Sequence, residues 1–127
     1  MPTTNTTRRS PTKNGADAKF RAFSDPTRLR VLRLLQTGEL CVGDLVKIIR
    51  VPQPTASRHL AYLRKAQLVT VRKRGLWSYY SLAPASSRFH RHLLACLRTC
   101  FDEVAEMSAD RLRARRLQRR GGCCPRD

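Results

Sequence analysis

The sequence predicts a mainly α-helical domain that carries a single β-hairpin. Apolar residues recur at helical spacing along most of the chain, whereas the alternation and aromatic content typical of strands occur only between Leu68 and Leu82. The length of 127 residues fits one domain with a modest core. We therefore expect one folded domain over residues 16–118, preceded by a disordered polar tail at 1–15 and followed by a cysteine-containing tail at 119–127.

The first two helices are predicted from their apolar residues and end signals. Phe20 and Phe23 mark a short helix near the start of the domain. The stretch SDPTRLRVLRLLQTG predicts a second helix, because Asp25 can accept a hydrogen bond from the free N–H groups at its start. Pro26 suits the first helical position, and Gly38 follows the last turn.

The stretches ELCVGDLVKIIRVP and QPTASRHLAYLRKAQ predict a third and a fourth helix joined by a short turn near Pro52. The fourth is expected to run from Gln53 to Gln67, with Gln53 as its cap and polar side chains of its first turns facing outward. The residues expected to be buried are Leu40, Leu45, Ile48 and Ile49 in the third helix and Ala56, Leu60 and Leu63 in the fourth.

The stretch LVTVRKRGLWSYYSL predicts a β-hairpin with a basic tip. Val69 and Val71 alternate with polar residues, aromatic residues follow, and Gly75 separates the two runs. After the hairpin, one long helix is expected from Ser86 to about Gln118, where a Gly-Gly pair ends it.

The charge of the chain points to a polyanionic partner. The 26 Lys and Arg residues against 9 Asp and Glu give a net charge of +17, and no carboxylate occurs between Asp44 and Asp102. Nucleic acid is the expected partner and an anionic membrane surface the second. The start of the chain has no signal-peptide core and no run long enough to cross a bilayer, so we expect a cytoplasmic protein without membrane partners.

The order helix, turn, helix and hairpin is that of a winged helix-turn-helix. The second helix of the pair can enter the major groove, where its N-terminal side chains meet base edges, and the hairpin tip can contact phosphates or a minor groove. The expected DNA-binding residues are Gln53, Thr55, Ser57, Arg58 and His59 in the helix and Arg72, Lys73 and Arg74 in the wing. For the later run RLRARRLQRR, DNA contact and a solvated helix end are both open.

From about Phe20 to Leu94 the chain resembles the ArsR/SmtB metalloregulatory repressors. The resemblance is carried by SDPTRLRVLRLL, ELCVGDL, QPTASRHLAYLRKAQLV and RGLWSYYSL in this order and spacing. It implies a homodimer that forms through the first and last helices of each subunit. It also implies that the metal-free protein binds double-stranded operator DNA and that an inducer releases it.

Two departures from that family pattern concern DNA binding and sensing. Many members have Ser where this chain has Pro52, before the Gln-Pro of the recognition helix. The family's arsenic-responsive box reads Cys-Val-Cys-Asp-Leu-Cys, whereas this chain has Cys41-Val42-Gly43-Asp44-Leu45-Val46 and so lacks two of the three thiols. The usual arsenic site therefore cannot form here.

The remaining cysteines suggest a relocated site for trivalent arsenic or antimony. Cys96 and Cys100 are one helical turn apart, and Cys123 or Cys124 can supply the third thiolate that such an ion needs. The alternative is that Cys96 and Cys100 only pack a dimer interface. Cys41 is expected to be a small buried residue more often than a ligand.

A zinc site is the rival on the same predicted helix. Some relatives bind zinc through Asp-x-His, ten residues and His-x-x-Glu, and this chain offers His90, His92, Glu103 and Glu106 at that spacing. Two of the four residue types differ, so these side chains also suit an ordinary helix surface.

The sequence therefore predicts a DNA-binding repressor released by trivalent arsenic or antimony, and not an enzyme, since no phosphate-cradling loop surrounds a cysteine. Three alternatives remain: the same repressor sensing zinc or another divalent metal, the same repressor sensing a thiol-redox signal, and a non-specific nucleic-acid-binding protein.

Overall fold

The computed structural model describes residues 15–100 and 104–123, except for the side chain of Cys100. The predicted tail at 1–15 lies outside them apart from Gly15. The elements are α1 (Ala16–Ala22), α2 (Pro26–Leu35), β1 (Leu40–Cys41), α3 (Val42–Ile49), α4 (Gln53–Lys65), β2 (Val69–Arg74), β3 (Trp77–Leu82), α5 (Arg88–Cys100) and α6 (Ala105–Arg119). The prediction of a mainly helical domain with a β-hairpin is confirmed.

The start of α2 forms as its capping signals predict. Asp25 is extended and its Oδ1 accepts a hydrogen bond from the backbone N–H of Arg28 at 3.0 Å. The Arg28 guanidinium in turn donates to the carbonyls of Ala22 and Arg21, both at 3.0 Å. Arg28, in the first turn of α2, therefore also satisfies the last carbonyl groups of α1 and so connects the two helices.

The hairpin belongs to a three-stranded antiparallel sheet with the order β1-β3-β2. Strands β2 and β3 pair from Val69 opposite Leu82 to Arg74 opposite Trp77, as the hairpin prediction requires. The prediction that Leu40 lies in the third helix is wrong, because Leu40 and Cys41 form β1 opposite Tyr80 and Tyr79. Two residues carry no readable periodicity, and only the nearby β3 supplies their hydrogen-bond partners.

The N-cap of the recognition helix lies one residue earlier than predicted. Pro52 occupies the N-cap position of α4 and no side chain caps the helix, whereas Gln53 is the first helical residue. The helix also ends at Lys65 and not at Gln67, whose φ of 63° turns the chain toward β2. The chain leaves the helix through Ala66 and Gln67 and enters β2 at Val69.

The single long helix predicted from 86 to 118 is wrong, because two helices, α5 and α6, occupy that stretch. Val104 is extended, with φ −78° and ψ 118°, and α6 packs against α2 and α3. A straight helix over 86–118 would be about 50 Å long and would extend well beyond a domain of this size. Breaking it lets Ala114 and Leu117 join the core that also contains Leu97.

The core lies between α2, α3, α4 and the sheet. All the core positions predicted in the third and fourth helices are buried: Leu40, Leu45, Ile48, Ile49, Ala56, Leu60 and Leu63 are at most 4 % exposed. In the described ranges, no helix has the length and apolar character to span a bilayer.

Candidate nucleic-acid interface and thiol cluster

The recognition helix α4 has one buried face and one polar face. Ala56, Leu60 and Leu63 fix it to the core, and the opposite side carries the residues predicted to meet DNA. Gln53, Ser57 and Arg58 are exposed, and Thr55 and His59 are half-buried. The helix therefore presents donors and acceptors near its N-terminus, which is the arrangement needed to read a major groove.

The wing presents cations in two different ways. Lys73 and Arg74 are exposed near the turn between β2 and β3. Arg72 instead donates two hydrogen bonds to Glu39, at 2.8 and 3.1 Å, and its guanidinium lies 4.6 Å from the centre of the Tyr79 ring. The hydrogen bond from Arg72 holds the pKa of Glu39 below its usual value. Arg72 thus ties the wing to the residue that precedes β1.

The tail cysteine Cys123 lies beside the first turn of α3. Ligand atoms of Cys41, Asp44 and Cys123 are all within 4.8 Å of one another. Cys41 is the N-cap of α3, its sulfur accepting from the Asp44 N–H at 3.4 Å, and Asp44 Oδ1 accepts from the Cys123 N–H at 2.8 Å. We refer to these three residues as the thiol cluster.

A glycine pair after α6 directs the tail to this position. Gly121 and Gly122 have φ values of 87° and 76°, which are left-handed conformations that favour glycine. Their N–H groups donate to the carbonyls of Gln118 and Leu117, both at 3.0 Å, and so end the helix. The chain then turns back along α3, which places Cys123 at its N-terminal end.

Burial and charge raise the pKa of the Cys123 thiol further above neutral pH. Its removal from water, followed by the hydrogen bond to Asp44 and the charge of that carboxylate, raises the pKa of Cys123 to about 11, while Lys47 opposes the shift. Cys41 is in a disulfide, so its sulfur becomes a ligand only after reduction. The cluster can therefore hold a soft ion in its reduced form, provided that the ion displaces the thiol proton.

The four cysteines predicted to form the arsenic site are only partly described. Cys96 is exposed on α5, whereas Cys123 is half-buried in the thiol cluster. The side chain of Cys100 and all of Cys124 lie outside the described residues. Within the described ranges, the thiol cluster is the one place where three His, Cys, Asp or Glu side chains come close enough to share an ion.

The predicted zinc residues lie in different environments. His90 is buried, its Nδ1 accepts from the Ser86 N–H at 3.1 Å, and its Nε2 has no hydrogen-bond partner in the described part of the chain. Burial, together with the nearby Lys19, lowers the pKa of His90. His92 and Glu106 are exposed, and Glu103 lies outside the described residues.

Sequence reasoning missed a buried ion-pair network that fastens α6 to the helix-turn-helix. Asp110 is 1 % exposed and accepts from Arg30 at 2.8 Å through both oxygens and from Arg113 at 2.7 Å. The same two guanidinium groups donate to the carbonyls of Ile49 and Ile48, at the end of α3. The i, i+3 spacing of Asp110 and Arg113 predicts an ion pair between them, whereas no pattern in the sequence predicts the pairing with Arg30.

The comparisons with known proteins agree with this architecture. The family model for "Bacterial regulatory protein, arsR family" matches residues 25–71, from the cap of α2 into β2. The arsenical resistance operon repressor of Escherichia coli is 38% identical over 96 residues, which cover 75% of this chain and 76% of that protein. This chain belongs to the ArsR family. It is a DNA-binding transcriptional repressor and not an enzyme.

Two solved structures from other bacteria have the same fold. HlyU from Vibrio cholerae matches with a TM-score of 0.62 and 30% identity, over 71% of this chain and 97% of that one. A homodimeric winged helix-turn-helix DNA-binding domain from Mycobacterium bovis matches with a TM-score of 0.57 and 28% identity, over 70% and 80% of the two chains. The winged helix-turn-helix prediction is therefore confirmed.

Proposed function

We propose that this ArsR-family repressor is a homodimer that trivalent arsenic or antimony releases from its operator by binding to cysteine sulfurs. The observation that carries the proposal is the thiol cluster, where Cys41, Asp44 and Cys123 place their ligand atoms within 4.8 Å of one another. The name of the Escherichia coli relative, an arsenical resistance operon repressor, supports the choice of inducer.

The exposed aromatic surface of α1 supports the dimer. Phe20 is 58 % exposed, and its ring centre lies 4.8 Å from that of Phe89 on α5. The two helices thus offer one apolar face, and a second copy would remove it from water. The operator would then be read twice, once by each copy of α4 with its wing.

Thiol exchange with arsenous acid suits the reduced cluster, in which Cys123 carries a protonated thiol. Each As–O bond is replaced by an As–S bond, and each hydroxyl leaves as water together with the thiol proton. Cys41 and Cys123 would supply two sulfurs, and Cys124, the next residue in the chain, is the proposed third. A site on α5 made by Cys96, Cys100 and a tail cysteine is the alternative placement.

Release follows if the ion favours a conformation that no longer fits both half-sites. Cys123 donates its backbone N–H to Asp44, and Cys41 caps α3, so an ion held by both cysteines pulls on the first helix of the DNA-binding pair. The repressor is released to the extent that the ion binds this conformation more tightly than the DNA-bound one.

The test compares two paired substitutions in a mobility shift under reducing conditions. The probe is the duplex from upstream of the protein's own coding region, titrated with arsenite. Cys41→Ser with Cys123→Ser is expected to retain DNA binding and to lose release, because Ser at the N-cap still accepts the Asp44 N–H. Cys96→Ser with Cys100→Ser is the matched control and should still be released.

The opposite result would move the arsenic site to α5. Release that persists in both pairs, or in a variant without any cysteine, would sink the arsenic proposal.

Zinc is a second candidate inducer because of one buried atom, the unpartnered Nε2 of His90. Titration of the same duplex with zinc, using His90→Gln as the variant, separates this case from arsenic. A third titration with peroxide tests the thiol-redox alternative, for which the disulfide at Cys41 is the relevant observation.

A further inference from the structure

A cationic cleft lies between the end of α3 and the C-terminal half of α6. It has a volume of about 390 Å³, and five of the side chains that line it are cations: Lys47, Arg50, Arg113, Arg116 and Arg120. Apolar side chains and Gly122 complete the lining, and no carboxylate lines it in the described part of the chain. We refer to it as the α6 cleft.

One wall of the α6 cleft is rigid, and its other cations are available to a ligand. Arg113 is held by Asp110 and by the carbonyl of Ile48. Within the described residues, Lys47, Arg50, Arg116 and Arg120 form no ion pair with a carboxylate. Uncompensated like charges in one cleft repel each other, so an anion that enters it is favoured by all of them.

The α6 cleft adjoins the start of the recognition helix. Arg50 lies in the turn between α3 and α4, three residues before Gln53. It adopts the left-handed conformation, with φ 59° and ψ 48°, where glycine or asparagine is ordinarily favoured. A long cation therefore occupies a position where glycine would be less strained.

We propose that the α6 cleft binds backbone phosphates of the operator beside the groove that α4 reads. In a helix-turn-helix the helix that precedes the recognition helix crosses the DNA backbone, so its C-terminal end and the following turn lie near phosphates. Guanidinium groups match phosphate oxygens in pairs, and such contacts position a protein on DNA without reading sequence. The inference rests on the family's DNA binding and not on the proposed inducer.

The contact has a specific salt signature. Each phosphate that a protein neutralises adds about 0.9 to the slope of log binding constant against log salt concentration. Arg116→Gln with Arg120→Gln is therefore expected to lower this slope by about 2 and to weaken binding roughly 30-fold at 0.15 M salt. The loss should be equal for the upstream duplex and for an unrelated one, because phosphates carry no sequence information.

The matched control removes the same charge from the same helix outside the cleft. Arg115 and Arg119 are exposed on α6 and do not line the cleft, so Arg115→Gln with Arg119→Gln should leave the slope nearly unchanged. Thermal unfolding of both pairs verifies that α6 stays folded. Arg50→Gln is a second cleft variant outside α6, with an expected loss of about 1 in slope.

Equal slopes in the two pairs of variants would overturn the proposal. A free phosphate compound is the other occupant that this chemistry allows, and it is tested by calorimetric titration with inorganic pyrophosphate. Loss of pyrophosphate binding in the cleft pair with an unchanged DNA slope would make the α6 cleft a small-anion site and would also overturn it. Neither outcome involves arsenite, so a failure of this proposal would leave the proposal about the inducer unaffected.

Discussion

The two ends of α3 differ in chemistry, although α6 and the residues that follow it pack against both ends. At the N-terminal end, Cys41, Asp44 and Cys123 form a cluster in which a carboxylate faces thiols. At the C-terminal end, Arg30 and Arg113 donate to the last carbonyls, and cations surround the α6 cleft. Each arrangement follows the helix dipole, with the anion at the start of α3 and the cations at its end.

This difference places two proposed functions at opposite ends of one short rigid element. An eight-residue helix is about 12 Å long, so a displacement at the thiol cluster reaches the α6 cleft without an intermediate element. Lys47 belongs to both regions, because it lines the cleft and its charge acts on the Cys123 thiol. If arsenite weakens DNA binding through α3, DNA must weaken arsenite binding by the same factor.

The largest expected effect is a loss of stability when the ion pairs at the C-terminal end of α3 are removed. Asp110→Ala should lower the free energy of unfolding by about 2–4 kcal/mol, since it leaves two partly buried guanidinium groups without their carboxylate. Urea unfolding measures this loss. Glu106→Ala, at an exposed position on the same helix, is the control and should cost about 0.5 kcal/mol or less. Similar costs for both variants would show that Asp110 does not hold α6 in place.

An intermediate effect is expected at the N-terminal end, on protonation. Asp44→Asn should bring the pKa of Cys123 down from about 11 toward its ordinary value of 9.0, because the amide has no charge to repel the thiolate. Burial is the larger cause and remains, so the pKa should stay above 9.0. Ultraviolet absorbance of the thiolate measures this in a variant that keeps Cys123 as its single cysteine. An unchanged pKa of Cys123 would show that Asp44 does not influence this thiol.

The control for that titration is Asp17→Asn, a carboxylate on α1. It should leave the thiolate titration of Cys123 unchanged. A shift caused by this variant would mean that general charge, and not the contact with Asp44, sets the Cys123 pKa.

The smallest expected effect is a change of stability at Arg50, in the turn after α3. It is measured separately from the effect of the same residue on DNA binding. Arg50→Gly should raise the free energy of unfolding by up to about 1 kcal/mol, because glycine adopts the left-handed conformation without strain. The same variant should lose about 1 in the salt slope of DNA binding. Gln67→Gly, at the other left-handed non-glycine residue of the described chain, should gain stability and keep the slope. Equal salt slopes in the two variants would show that Arg50 does not contact DNA.

The local sequence determined most of the helix-turn-helix. Asp25 and Pro26 start α2 as their chemistry requires, and the spacing of Ala56, Leu60 and Leu63 alone decides which face of α4 is buried. The outward position of Gln53, Ser57 and Arg58 follows from that spacing. These features depend on neighbours within one or two helical turns, so a periodic pattern and a capping residue are enough to predict them.

The tertiary structure decided where the last third of the chain goes. Val104 breaks the predicted long helix, and α6 then packs beside α3. That return brings Cys123 to Asp44, 79 residues earlier, and arranges Arg116 and Arg120 around the same cleft as Arg50. A helical pattern shows which face is apolar but not which surface will cover it. The thiol cluster and the α6 cleft therefore depend on how the core is completed, which is a property of packing and not of local sequence.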